Sequence, residues 1–161
     1  MPSKIFTLYL STQTPAGSLY APVDTSNKAI ITWNINWEQL YGSIGAIDER
    51  FARVKFQLSS LAQNAVYTWA ANSGVLAIQG LGNKFSNSAN GLVLGAVTPS
   101  DSPVAVATAS ILYGETLQTS GVQTNLPYGY APITVLILDR AGVLQANVLD
   151  YQLILQFEME E

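Results

Sequence analysis

The chain has 161 residues, contains no histidine and no cysteine, and carries seven basic and eleven acidic side chains. Charged residues make up 11% of the sequence, against about 25% in an average soluble domain. The missing residue types exclude thiolate nucleophiles, zinc–thiolate sites and histidine-based triads. A free monomer normally stays soluble through a dense cover of charge. We therefore expect much of this surface to lie against other protein.

The charged residues are unevenly distributed along the sequence. The formal net charge is −4, and three of the acids lie among the last four residues. Nucleic acids are bound mainly through Lys and Arg, so seven scattered basic residues predict no direct nucleic-acid partner. The densest basic cluster, which we interpret as a solvated strand edge or a subunit contact, is Arg50, Arg53 and Lys55.

Residues 1–13 hold one lysine and an apolar run of about six residues. This run is too short for the apolar region of a secretory signal and for a membrane span. We therefore expect synthesis without a signal peptide, and no membrane-spanning segment.

Short apolar runs separated by Gly, Pro, Asn and Ser predict strands along the chain. The first is predicted at residues 4–10. Residues 28–37 and 51–59 alternate apolar and polar side chains, which indicates half-buried strands. Between them, residues 38–50 contain two glycines and are predicted as a loop with one or two helical turns.

The second half of the chain continues in the same way. Strands are predicted at residues 66–70, 75–78, 92–97, 108–113, 133–138 and 151–158. The run 133–138 is almost wholly apolar, as in a central strand that is covered on both faces. Turn-forming residues predict a loop at 80–91, a rigid aromatic connection at 126–132 and a turn at 139–142.

Eight to ten short strands and no helix beyond two turns predict an all-β fold, an antiparallel sandwich or barrel. The long connections favour Greek-key crossing, and the absence of a repeat or a composition shift predicts one domain over residues 1–161. Alternation, or a place in an apolar run, further predicts a mostly buried set of side chains: Ile31, Trp33, Ile35, Trp37, Val54, Phe56, Leu58, Val135, Ile137, Leu153, Leu155 and Phe157.

Little of the sequence points to catalysis. Two carboxylates can hydrolyse a glycosidic bond, but no pattern brings together the candidates Glu38, Asp48, Glu49 and Glu115. Residues 48–49 and 100–102 offer few oxygen ligands for Ca²⁺ and fit turns or caps better. Residues 80–82 begin like a phosphate loop but lack its third glycine and its helix. We expect no enzyme activity, no cofactor and no metal.

The aromatic residues fall into two groups. Trp33 and Trp37 share a face with neighbouring isoleucines, which favours a place in the core over a sugar-stacking platform. Tyr128 and Tyr130 lie in a short segment bounded by prolines, where they could contact a ligand or a neighbouring subunit.

Two parts of the sequence carry a family resemblance. ITVLILDRAG, VLQANVLD and YQLILQFEMEE follow one another at residues 133–161, and WNINWEQLYG precedes FARVKFQLSS within residues 33–60. These segments resemble strands of capsid-type single jelly-roll structural proteins of large DNA viruses and their satellites. The resemblance implies an eight-stranded two-sheet sandwich that packs side by side into a shell, a pentameric cap or a trimer. It departs from coat proteins with a basic arm, because only Lys4 lies near the start.

We therefore expect a non-enzymatic structural protein of a virion, whose partners are copies of itself and other capsid proteins. The candidate interface residues are Tyr128, Tyr130, Arg53 and Lys55. The alternative is a trimeric lectin-like or receptor-binding β-sandwich module.

Overall fold

Nearly all regular structure in the computed structural model is β-strand. It describes residues 4–44, 51–60, 63–64, 74–81, 91–99, 109–110, 112–115, 121–139, 141–145, 148 and 150–159. The strands are β1 (Lys4–Ser11), β2 (Ile30–Asn36), β3 (Phe51–Ser60), β4 (Gln63–Asn64), β5 (Gly74–Gln79), β6 (Leu92–Pro99), β7 (Ala109–Ser110), β8 (Leu112–Glu115), β9 (Val122–Asn125), β10 (Tyr130–Leu138) and β11 (Tyr151–Met159). One helix, α1 (Trp37–Ile44), stands between β2 and β3 in the described part of the chain.

Nine of these strands form two antiparallel layers, and β4 pairs only with β7 in a short separate ladder. The first layer has the order β1-β11-β3, with β8 and β9 both along the outer edge of β3. The second layer has the order β2-β10-β5-β6, and β8 joins the layers by also pairing with β6. The chain changes layer at most steps from one strand to the next, with β5–β6 and β8–β9 as the exceptions. This Greek-key strand order is that of a jelly roll.

Ring contacts show that the layers pack face to face. The Trp33 ring on β2 and the Tyr151 ring on β11 meet edge to face, with centroids 6.3 Å apart. Trp37, at the start of α1, makes a similar contact with Phe157 at 5.7 Å. Because β2 and β11 lie far apart in the hydrogen-bonded strand order, these contacts require the layers to fold over one another. The prediction of an all-β, two-sheet sandwich is confirmed.

The core lies between the layers and is built from the alternate residues of each strand. All twelve side chains that the sequence predicts to be buried are buried: Ile31, Trp33, Ile35, Trp37, Val54, Phe56, Leu58, Val135, Ile137, Leu153, Leu155 and Phe157. Strand residues of period two place one set of side chains on each face, which identifies the members in alternating segments, whereas Val135 and Ile137 follow from their place in an apolar run.

The apolar part of β10, predicted to be covered on both faces, is covered on its inner face and over Leu136 and Leu138 on its outer face, whereas Tyr130 and Pro132 are exposed. It pairs with β2 on one side and with β5 on the other. Its outer-face residues Leu136 and Leu138 form a second, small apolar cluster with Ala77 of β5. Leu144 packs against this cluster from the turn that follows β10. The Asp139 carboxylate accepts the backbone N–H of Ala141 at 2.8 Å and holds that turn closed.

Two strand boundaries differ from the sequence prediction around β2. The strand begins at Ile30 rather than 28, because the Asn27 side chain and carbonyl accept the N–H groups of Ala29 and Ile30 in a turn. It ends at Asn36, whose side chain accepts the N–H of Gln39 at 3.3 Å and caps the first turn of α1. Residues 37–44 are therefore helical.

The prediction of a connection through residue 132 is wrong at its end, because β10 already begins at Tyr130. Tyr130, Ala131 and Pro132 pair with Asn36, Ile35 and Asn34 of β2. Pairing with β5 starts only at Thr134. Proline has no backbone N–H, and no described pairing with β5 requires one at position 132. Pro132 is therefore tolerated at this point of the strand.

Other predictions lie outside the described residues. They are the strand at 66–70, most of the loop at 80–91, residues 45–50 of the loop before β3, and Asp48, Glu49 and 100–102 as calcium candidates.

Candidate functional site

Tyr128 and Tyr130 present their rings outward from an anchored piece of backbone. Their side chains are 58% and 71% exposed, among the most exposed large apolar side chains described. Trp37 holds this backbone on both sides of Tyr130, since its N–H donates to the Gly129 carbonyl at 2.9 Å and its Nε1 donates to the Ala131 carbonyl at 3.2 Å. The rings are thus exposed while the chain that carries them is fixed.

A third tyrosine, Tyr20, completes the surface. Burial raises the pKa of the Tyr20 phenol, and the nearby phenol of Tyr130 raises it further. Tyr20 packs against the core and adopts a left-handed backbone conformation with φ of 56°. Neighbouring Pro22 bridges to Trp33 on the outer edge of β2, which brings Tyr20 to this side of the molecule. We call Tyr20, Tyr128 and Tyr130 the tyrosine patch.

The surroundings of the tyrosine patch are polar but almost uncharged. Tyr130 lies directly across from Asn36, and exposed Asn34 lies across from Pro132 in the same ladder. The exposed carboxylate of Glu38 stands over Gly129, within 3.9 Å of where a Cβ atom would sit. Such a surface combines apolar rings with neutral hydrogen-bonding groups, a mixture found at the centres of protein interfaces.

Arg53 and Lys55 lie on a different surface. Both belong to β3 and alternate with buried residues, so they face outward from the first layer. Arg53 lies across from Glu158 on β11 and Lys55 across from Gln156. Tyr130 faces outward from the second layer instead. The structure therefore does not bring the four sequence candidates together, and Arg50 lies outside the described residues.

A polar cluster that the sequence did not reveal ties three segments together. The Thr12 hydroxyl donates to Asp150 at 2.9 Å and accepts the N–H of Tyr151 at 3.1 Å. The Lys28 ammonium lies 3.5 Å from the same carboxylate. These residues join the end of β1, the approach to β2 and the start of β11. Thr12, Lys28 and Asp150 all have partners within the fold, so this cluster holds the three segments together and has a structural role.

The described part of the chain holds no group of three or more acidic residues placed to share a metal ion. It also contains no helix with the length and apolar character that crossing a membrane would require. Glu38 lies in the first turn of α1 and Glu115 ends β8.

No family model matches the chain, and neither the curated proteins nor the solved structures include a match. The tyrosine patch, the strand order and the composition are therefore the observations from which a function can be argued.

Proposed function

We propose that this chain is a non-enzymatic structural protein that associates with copies of itself and with other coat subunits in the shell of a virus particle. The observation that carries the proposal is the tyrosine patch, with two largely exposed aromatic rings on a backbone held by Trp37. The scarcity of charge supports it, because large areas of neutral surface favour association.

The anchored backbone favours binding energetically. Association loses free energy when loops and side chains become ordered at an interface. Here the backbone on either side of Tyr130 is already fixed by two hydrogen bonds from Trp37, so little backbone ordering remains on association. Tyrosine is also among the residues that contribute most to binding at interfaces.

The jelly-roll architecture is compatible with this proposal but does not carry it, because one fold supports many functions. The architecture matters because it determines which surfaces are available for contacts between subunits. Both layers are internally paired, so contacts between subunits must come from outer faces, strand edges and connections. The tyrosine patch belongs to this available surface. Arg53 and Lys55, on the outer face of the first layer, are proposed as a second and weaker contact.

The experiment replaces both exposed rings. The variant Tyr128→Ser with Tyr130→Ser should sediment as smaller species than the wild type at equal concentration, with an unchanged circular-dichroism spectrum. Val143→Ser is the matched control, because Val143 is 60% exposed and lies in the turn after β10. A wild type that stays monomeric at high concentration, or an assembled structure with both rings in solvent, would refute the proposal.

A lectin-like or receptor-binding module is the second candidate, supported by the amide groups beside the rings. Sugars stack on aromatic rings and hydrogen-bond to neutral polar groups, and Asn34 and Asn36 adjoin Tyr130 on the same outer face. Glycan-array binding that disappears in Tyr130→Ser but survives in Val143→Ser would favour this candidate. No binding to any glycan would leave the shell protein as the better interpretation.

A further inference from the structure

Strand β1 lies at the end of the first layer. It pairs along its whole length with β11, from Lys4 opposite Met159 to Ser11 opposite Gln152, without a register shift. No other described strand pairs with β1. Its inner-face residues are buried, whereas Ile5 and Tyr9 are 45% and 52% exposed on the outer face.

The register shows which backbone groups point away from β11. Just beyond β1, the N–H of Thr12 donates to the carbonyl of Tyr151, so this pair is hydrogen-bonded. In an antiparallel ladder, bonded and non-bonded pairs alternate. The N–H and C=O groups of Ile5, Thr7 and Tyr9 therefore face the outer edge. Among the described residues, no hydrogen bond to these outward groups is found.

The strand also lacks most of the usual protection of an edge. Natural edge strands are blocked by proline, by a bulge, by charged side chains, by a short length or by a covering helix or loop. Helix α1 approaches β1, but no hydrogen bond to the outward groups of Ile5, Thr7 and Tyr9 is found among the described residues. β1 has eight residues, contains no proline, keeps a regular register, and carries one charge, at Lys4. An edge of this kind is a template for a further strand.

We propose that the strand that pairs with this edge is β1 of a second copy, running antiparallel about a two-fold axis at Thr7. This register places Ile5 of each copy opposite Tyr9 of the other and the two Thr7 residues opposite each other. Ile5, Thr7 and Tyr9, whose backbone groups face outward, then all form hydrogen-bonded pairs. Aromatic–β-branched and Thr–Thr pairs are favourable across strands.

The self-complementary side-chain pairs favour a second copy as the occupant, and the charges do not oppose it. In this register Lys4 lies opposite Leu10 of the other copy, so no like charges meet. The symmetric arrangement uses the same surface on both copies, as a two-fold dimer requires. The proposal shares with the proposed function the premise that copies associate, but it assigns a surface separate from the tyrosine patch.

A unique cysteine tests the axis directly, because the natural chain has none. In a hydrogen-bonded antiparallel pair the Cα atoms are about 5.5 Å apart, which lies within the range of a disulfide. Thr7→Cys should therefore give a covalent dimer under mild oxidation. Gln57→Cys is the control, since Gln57 is exposed on the same outer face, two strands inward. Equal cross-linking of both variants, or of neither, would overturn the proposal.

A charge exchange tests the register. Ile5→Lys and Tyr9→Glu should each weaken dimerisation about tenfold, because the two-fold axis repeats every change. The double variant should recover affinity, since it places the introduced ammonium of each copy opposite the introduced carboxylate of the other. A double variant that dimerises more weakly than either single variant would exclude this register.

The same measurements distinguish this interface from the tyrosine patch. The Thr7→Cys dimer should still form when Tyr128 and Tyr130 are both changed to Ser. If the tyrosine changes abolish the cross-link, β1 is not an independent contact. If the cross-link forms but sedimentation of the β1 variants does not change, the edge pairs only when it is trapped, and the proposal fails.

Discussion

At the residue scale, the Trp33 and Tyr151 side chains are packed in the core, but each carries a polar atom without a hydrogen-bond partner. Both side chains are fully buried and meet edge to face between the layers. Neither the Trp33 Nε1 nor the Tyr151 hydroxyl has a hydrogen-bond partner. A buried polar atom without a partner costs about 1–3 kcal/mol. These two atoms therefore reduce the stability of the core.

Tyr151→Phe should leave stability unchanged or raise it by about 1 kcal/mol, because it removes the unpartnered hydroxyl and keeps the ring. Urea denaturation at neutral pH measures the free energy of unfolding of the variant and of the wild type. Tyr9→Phe is a suitable control, since the Tyr9 ring is exposed. A loss of more than about 1 kcal/mol in Tyr151→Phe would mean that the hydroxyl has a partner.

The same tyrosine predicts alkaline sensitivity. Burial raises the pKa of Tyr151 well above its ordinary value of 10.0. Above pH 10 the unfolded chain releases this proton while the folded chain retains it. The free energy of unfolding is therefore unaffected by this ionisation below pH 10 and falls as pH rises further, by up to about 1.4 kcal/mol per pH unit. Urea midpoints from pH 8 to pH 11 should fall less in Tyr151→Phe than in the wild type. Parallel curves would contradict this assignment.

At the element scale, the close approach of β5 and β10 depends on one glycine. Gly80 follows β5 with a φ of +99°, and a Cβ atom there would lie 2.5 Å from the carbonyl oxygen of Pro132. This is a backbone contact, so no side-chain rotation can relieve it. The glycine thus allows the chain to leave β5 beside the first residues of β10.

Gly80→Ala should destabilise the fold by about 2–4 kcal/mol, through the clash with Pro132 and the strained backbone. Gly42→Ala provides a contrast within α1, because a Cβ atom there meets nothing within 4 Å. That change should be stabilising by up to about 1 kcal/mol, since alanine favours a helix. Thermal or urea unfolding compares the two. Equal changes in the free energy of unfolding for Gly80→Ala and Gly42→Ala would show that the backbone at Gly80 can move away from Pro132.

At the scale of the whole molecule, few of the described charges lie near the two main surfaces proposed for contact, the tyrosine patch and the edge of β1. Arg53 and Lys55 face outward from β3, and Lys28 is held by Asp150. The tyrosine patch and the edge of β1 are instead neutral or nearly so. Apolar burial and neutral hydrogen bonds are screened little by salt, whereas exposed ion pairs are screened strongly.

Assembly should therefore depend only weakly on ionic strength. Sedimentation between about 0.05 and 1 M NaCl should show nearly the same distribution of oligomers. Dissociation at high salt would instead assign the contact to charged residues, beginning with Arg53 and Lys55. An Arg53→Ala variant would then show reduced assembly already at low salt.

The sequence by itself determined the strands and their buried faces. At residues 51–58 and 151–158, alternation identified every buried side chain, because the two faces of a strand follow from a local period of two. The exposure of Tyr128 and Tyr130 also agreed with the expectation of an outward-facing segment. Their role as an interface remains a proposal.

Only the tertiary structure decided which strands are neighbours. It placed Tyr20 beside Tyr130, joined Thr12 to Asp150 across 138 positions of sequence, separated Arg53 from the tyrosines and left β1 at an edge. Periodicity specifies which face of a strand is buried, but carries no information about the partner strand. Pairing is selected by the packing of the entire core, and therefore by residues far apart in the chain.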